Sequence, residues 1–175
     1  MRIVTRMCVS LDGYVTTPAG WPAQLADPDF TPEAYGFVEF QRRIGAVLMG
    51  RSTFEPALGA ERWPWGELAV YVLGSHRPDG TPEHVVVDDD PERLHETMLA
   101  RHEKDEVHLV GGPQTIEAFR SIGALDRLGL LVLPRLLGDG MQLTPSIRTD
   151  TRLKLHSQTA LPNGVVELTY DLARA

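Results

Sequence analysis

Cysteine is nearly absent: the 175-residue chain has one, Cys8. A single thiol excludes an internal disulfide and a cysteine-based zinc site. Basic charge is scarce too, with 17 Lys and Arg against 24 Asp and Glu and a formal net charge of −7. Non-specific nucleic-acid binding needs a basic face that displaces phosphate counterions, so that class is excluded. A small or cationic partner, or an anion held in a local basic pocket, stays open. No stretch approaches the roughly 20 apolar residues of a membrane span. Met1-Arg2-Ile3-Val4-Thr5-Arg6 also lacks the uninterrupted apolar core of a signal peptide, because Arg6 breaks it. The expectation is a cytoplasmic protein with Cys8 reduced. Repeats, low-complexity tracts and long linkers are missing, as are G-x-x-x-x-G-K-S/T, G-x-G-x-x-G, H-E-x-x-H and G-x-S-x-G. His95-Glu96 has Leu99 where a second metal ligand would sit, so His95 and His102 read as solvated helix histidines and no metal is expected.

What is present is an ordinary globular composition, 42% hydrophobic with 16 Gly and 13 Pro. One domain over residues 1–175 is the expectation. Ile3 to Val9 reads as a strand ended by the Asp12-Gly13 turn, and Thr16 to Pro32 as a long surface loop. Thr31-Pro32 predicts a helix start, with Phe37, Phe40 and Ile44 as its apolar face. Ala46–Met49, Ala69–Leu73, His84–Val87 and Val107–Val110 read as buried strands. Between them fall a short helix at Ser52–Leu58, capped by Ser52, and a helix begun by Asp90-Pro91. A further helix is predicted from about Pro113 to Ile122, then an apolar strand Leu128–Leu133. Arg152–Gln158 and Val165–Leu172 alternate around Leu161-Pro162-Asn163-Gly164, which predicts an antiparallel hairpin. Continuous apolar strands alternating with helices imply a three-layer α/β domain around a mostly parallel sheet.

Two strand-to-helix junctions carry candidate chemistry. Met49-Gly50-Arg51-Ser52-Thr53-Phe54 joins a glycine, a guanidinium and two hydroxyls at a helix start, where backbone N–H groups favour an anion. A capped helix with an exposed Arg is the plainer reading of the same residues. Val107 to Thr115 places Gly111-Gly112 beside a second helix start, where a ligand can approach the backbone closely. Both junctions lie at the carboxyl ends of predicted parallel strands, the place where open α/β sheets bind ligands.

Gly50-Arg51-Ser52-Thr53 resembles the glycine-arginine-x-threonine junction of dihydrofolate reductases, and Gly111-Gly112 is similar to their second cofactor glycine pair. Ser10-Leu11-Asp12-Gly13, Leu133-Pro134 and Leu137-Gly138-Asp139-Gly140 are closer to another branch, the C-terminal reductase domain of the bifunctional riboflavin biosynthesis deaminase-reductase. The resemblance runs in consistent order from Ile3 to about Leu172. It implies a dihydrofolate reductase-like fold, with a mixed sheet of about eight strands, flanking helices and a terminal hairpin. It implies NADPH as cofactor, held by Gly50, Arg51, Ser52, Thr53, Gly111, Gly112, Gln114 and Thr115. Ser75, His76 and Arg77, after the strand ending at Leu73, would meet the adenosine 2′-phosphate, where charged and bidentate donors are wanted.

Gly36 stands where dihydrofolate reductases carry a carboxylate, with Glu33 and Glu39 three residues to either side. The zinc deaminase half of the bifunctional enzyme is absent. Asp12 is the remaining candidate catalytic group, as substrate orienter or proton relay, against a plain turn residue. Trp21 and Phe54 are candidate walls for a flat substrate, against core residues, and Trp63-Pro64-Trp65 reads as loop packing. The expected activity is an NADPH-dependent oxidoreductase acting on a C=N or C=O of a small heterocyclic substrate. It would be similar to 5-amino-6-(5-phosphoribosylamino)uracil reductase. A non-catalytic nucleotide-binding protein and a true dihydrofolate reductase are the alternatives. A small-molecule partner and a homodimer are expected, with neither nucleic acid nor membrane.

Overall fold

A computed structural model describes residues 1–102, 105–144 and 150–172. The first four strands are β1 (Arg2–Thr5), β2 (Met7–Ser10), β3 (Ile44–Gly50) and β4 (Ala69–Leu73). The short helices α1 (Phe37–Gln41) and α2 (Arg51–Phe54) flank β3. Then follow β5 (Val86–Asp88), α3 (Pro91–Arg101), β6 (Glu106–Gly111), α4 (Pro113–Ser121), β7 (Leu125–Leu133), β8 (Leu153–Ala160) and β9 (Val166–Leu172). Among the described residues the nine strands form one sheet in the order β5-β4-β3-β6-β1-β7-β9-β8, with β2 also on β7. Every pairing is parallel except β7–β9 and β8–β9, so the expected mixed sheet with an antiparallel terminal hairpin is what forms.

Helices cover both faces. Leu94 and Met98 of α3 and Ile116 and Phe119 of α4 pack on Ile3, Leu48, Tyr71, Val107 and Leu109. On the other face Phe40 and Phe54 pack on Val4, Val47, Met49, Val70 and Val72. Strands buried on both faces carry apolar side chains in both directions of the pleat, which explains their unbroken apolar runs.

Several boundaries differ from the sequence expectation, each for a local reason. The run Ile3–Val9 is two strands, because Arg6 turns out of β1 into the α1 face. There its Nε donates to Glu167 Oε1 at 2.8 Å and its Nη2 to the Tyr35 carbonyl at 2.7 Å. The helix expected from Thr31 starts only at Phe37. Thr31 does accept from the Ala34 N–H at 3.1 Å, but Gly36 adopts φ +67° and ends that turn. A Cβ on Gly36 would stand 3.2 Å from Arg6 Nη2, so seating Arg6 asks for glycine here. Ser52 caps nothing: α2 begins at Arg51, with Gly50 in the N-cap position and no side-chain cap. Asp90 is the cap the sequence implies, accepting from the Glu92 N–H at 2.8 Å.

Candidate functional site

The sheet order sets β3 between β4 and β6, so three carboxyl ends meet. Gly50 is paired with Leu73 and Met49 with Gly111. The two glycine junctions are therefore neighbours, and the Gly74–Arg77 turn lies beside the first. Their closeness can be read from what a side chain would strike. A Cβ on Gly50 would come within 2.5 Å of Thr115 Oγ1, and one on Gly74 within 2.9 Å of the Arg51 Cβ. Gly112 lies open, with Thr53 Oγ1 at 3.7 Å from its Cβ position, and its bond to Gly111 is cis. The result is a cradle in which Thr115 fills the space beside Gly50, Arg51 the space beside Gly74, and the Thr53 hydroxyl stands next to the open Gly112, while Ser52 is exposed on the first turn of α2. Thr115 is buried and Gln114 is exposed at the cradle's edge.

Arg51 Nη1 stands 2.9 Å from His76 Nε2 and 3.4 Å from Glu55 Oε1. With only those surface partners it keeps donors for a ligand. Arg77 does not. Its Nη1 donates to the Val85 carbonyl at 2.9 Å and its Nη2 to the Pro82 carbonyl at 2.5 Å, which ties down the 78–85 turn. Ser75, His76 and Arg77 border a groove of about 330 Å³ whose far wall is Asp88, Asp89 and Arg93. Arg93 is itself held by Asp88, Asp89 and Asp90 at 2.7–3.0 Å.

Asp12 lies on the loop after β2, exposed, and its carboxylate is already engaged. It accepts from Ser10 Oγ at 2.6 Å, the Leu137 N–H at 3.1 Å and the Gly138 N–H at 2.7 Å. The Ser10 hydroxyl first, then those amides, pull its pKa from the ordinary 3.8 down to about 2. A group so acidic is ionised at neutral pH. It stores no proton to donate, and it clasps the 10–14 and 135–138 loops together.

Phe54 is not a substrate wall: it is fully buried, stacked on Trp65 at 6.0 Å between ring centroids and edge-on to Trp63. Trp63 and Trp65 are loop packing, as expected. Trp21, by contrast, stands 63% exposed on its loop. Glu33 and Glu39 both face solvent, Glu39 paired to Arg42 at 2.6 Å, so neither replaces the carboxylate that Gly36 lacks. His102 is no solvated histidine: Nε2 lies 3.0 Å from the Tyr71 hydroxyl and Nδ1 3.0 Å from Asp105 Oδ2, closing the end of α3 onto β4. Arg6, which is buried, lies outside the sequence candidates, and its one local signal is a lone cation inside an apolar strand run.

A mixed sheet with a cradle across three parallel-strand ends and a terminal antiparallel hairpin defines the dihydrofolate reductase-like class of fold. The model of the RibD C-terminal domain matches residues 2–167, and the chain belongs to that family. The uncharacterised protein YwjB of Bacillus subtilis is 26% identical over 156 residues, spanning 88% of each chain. Among solved structures, a protein assigned to riboflavin biosynthesis from Shewanella sp. PV-4 aligns over 99% of this chain and 100% of its own. Its TM-score is 0.81 at 23% identity. The diaminohydroxyphosphoribosylaminopyrimidine deaminase/5-amino-6-(5-phosphoribosylamino)uracil reductase of Thermotoga maritima aligns over 98% of this chain and 56% of its own. Its TM-score is 0.70 at 14% identity. No described helix is long and apolar enough to cross a membrane.

Proposed function

We propose that this protein is a cytoplasmic, NADPH-dependent reductase of a small C=N or C=O substrate, folded as one domain over residues 1–175. The observation that carries the reading is the convergence of Gly50, Gly74 and Gly112 at adjacent strand ends. Gly50 and Gly74 make room for Thr115 and Arg51, and Gly112 stays open beside the Thr53 hydroxyl, so one bare stretch of backbone, two hydroxyls and Arg51 stand where a pyrophosphate needs close approach and donors. Gly50, Ser52, Thr53, Gly111, Gly112, Gln114 and Thr115 would hold the phosphates, and Arg51, Ser75 and His76 the adenosine end. When bound, NADPH supplies a hydride from its nicotinamide C4. Asp12, ionised and clasped to Leu137 and Gly138, holds the wall of the substrate side in place. Its ionisation also supports a second reading, a nucleotide binder without turnover.

Titration with NADPH and NADH tests the assignment. Arg51→Ala removes a charge-assisted partner worth about 1.5–3 kcal/mol, so NADPH affinity falls about tenfold to hundredfold and the NADPH/NADH preference narrows. Arg77→Ala, whose guanidinium serves the 78–85 turn, lowers the melting temperature and leaves that preference unchanged. NADPH binding as tight in Arg51→Ala as in the wild type removes Arg51 from the site. No NADPH binding by the wild type removes the reading.

A further inference from the structure

We infer that the substrate side of this protein takes an uncharged, apolar acceptor and rejects a phosphorylated one, an inference that rests on the NADPH-reductase reading above. Two loops form that side. Residues 13–23 fold beside 140–143, with Tyr14 bridged to Gln142 and Thr16 to Pro22, both antiparallel. The Val15 N–H donates to the Met141 carbonyl at 2.8 Å, the Ala23 N–H to Val15 at 2.9 Å and the Thr17 N–H to Trp21 at 2.7 Å. Directly opposed residues of antiparallel segments share a face. Val15 and Ala23 therefore point with Met141 and Trp21, the first two into the core and the last two at its open margin. Leu11 adds to this margin, its N–H donating to the Arg135 carbonyl at 2.8 Å, next to Leu136.

Leu11, Trp21, Leu25, Leu136 and Met141 are each at least half exposed, Leu136 the most at 73%. Only three other large apolar side chains among the described residues are comparably open, and they are scattered over α3, β8 and β9. Such a concentration marks a contact surface. It lies at the carboxyl ends of β2 and β7, two strand positions from the Gly111 end of β6, about 10 Å across the sheet.

The charge on these loops decides what the surface accepts. Residues 11–36 and 134–144 carry Asp12, Asp27, Asp29, Glu33 and Asp139 against one cation, Arg135. Arg135 sits 3.8 Å from Asp27, and Arg6 beneath is buried and neutralised by Glu167. A phosphate dianion wants several charge-assisted donors, and these net-acidic loops offer a single cation that is already paired with Asp27. A second copy docking here across a twofold would bring two net-acidic loop pairs together, which disfavours self-association through this face.

The test uses 6-hydroxy-2-naphthaldehyde and its phosphate monoester, which differ by one phosphate, titrated by fluorescence onto the full chain with and without NADPH. The uncharged aldehyde should bind at least tenfold tighter than the ester. Trp21→Ala should weaken it about tenfold without moving NADPH affinity, and Leu136→Arg should narrow the preference about tenfold. Equal binding, preference for the ester, or no binding of the aldehyde overturns the inference. The NADPH titration on the same sample shows separately whether the reductase reading stands. A dimer in sedimentation that Leu136→Arg splits into monomers would make the patch a protein contact and also overturn the inference.

Discussion

Asp12 shows how an exposed carboxylate becomes committed. Ser10 and the Leu137 and Gly138 amides stabilise its charged form, so the clasp is complete above the ordinary carboxylate pKa of 3.8 and is lost as pH falls toward about 2. Asp12→Asn keeps the turn but loses the charge. NADPH affinity should hold, while misplacement of the loop slows hydride transfer about tenfold to hundredfold. The pH–rate profile between 5 and 8 should keep its shape; an acidic limb that moves in the variant would make Asp12 a proton relay after all. His108 acts in the same direction but in a higher pH window. Half-buried edge-on to Phe40, with its Nε2 out of solvent, it has its pKa pushed by desolvation from 6.5 down to about 4. Above pH 6.5 folded and unfolded chains are both neutral there. As pH falls toward 4 the unfolded chain gains a proton that the folded one refuses, at a cost of roughly 3 kcal/mol. Thermal melts of His108→Leu should therefore lose less stability than the wild type between pH 6.5 and 4. Cys8, its thiol raised to about 12 by burial, offers no nucleophile.

At the scale of elements, the break between β1 and β2 organises the centre of the sheet. Thr5 Oγ1 both donates to the Gly129 carbonyl at 3.3 Å and accepts from its N–H at 3.0 Å. A Cβ on Gly129 would lie 2.5 Å from the Thr5 carbonyl oxygen, a backbone atom with nowhere to move. Gly129→Ala should cost about 2 kcal/mol or more in denaturant unfolding. Gly129→Ala unfolding at the same denaturant midpoint as the wild type would show that β1 and β7 can part freely. The break also frees Arg6 to reach Glu167 on β9, which ties the terminal hairpin to the parallel half of the sheet.

For the whole molecule, the sheet ends on β8, and nearly all of that strand is solvent-exposed. An uncovered edge is a liability unless charged, covered or paired. Lys154 and His156 supply some charge, and His156 lies 3.0 Å from Asp171 on the neighbouring strand. We expect pairing through this hairpin: sedimentation at micromolar concentration should show a homodimer, and a monomer would show that the edge charges suffice. This edge belongs to the opposite side of β7 from the apolar loops, so dimerisation there leaves the proposed substrate surface free.

The alternation of apolar runs with capped helices determined the layered α/β plan, because burial on both faces of a strand writes a continuous apolar signal. The two glycine junctions were legible for the same local reason: glycine marks close approach and Asp90-Pro91 marks a helix start wherever they stand. Tertiary structure alone decided that those junctions are neighbours, since sheet order comes from long-range pairing of β3 with both β4 and β6. It alone decided that Arg77 serves a turn while Arg51 faces the cradle, and that Phe54 is core while Trp21 is not. A guanidinium or an aromatic ring has the same local sequence signal in either role. Its partners, set by what the fold brings within hydrogen-bond or van der Waals reach, make the difference.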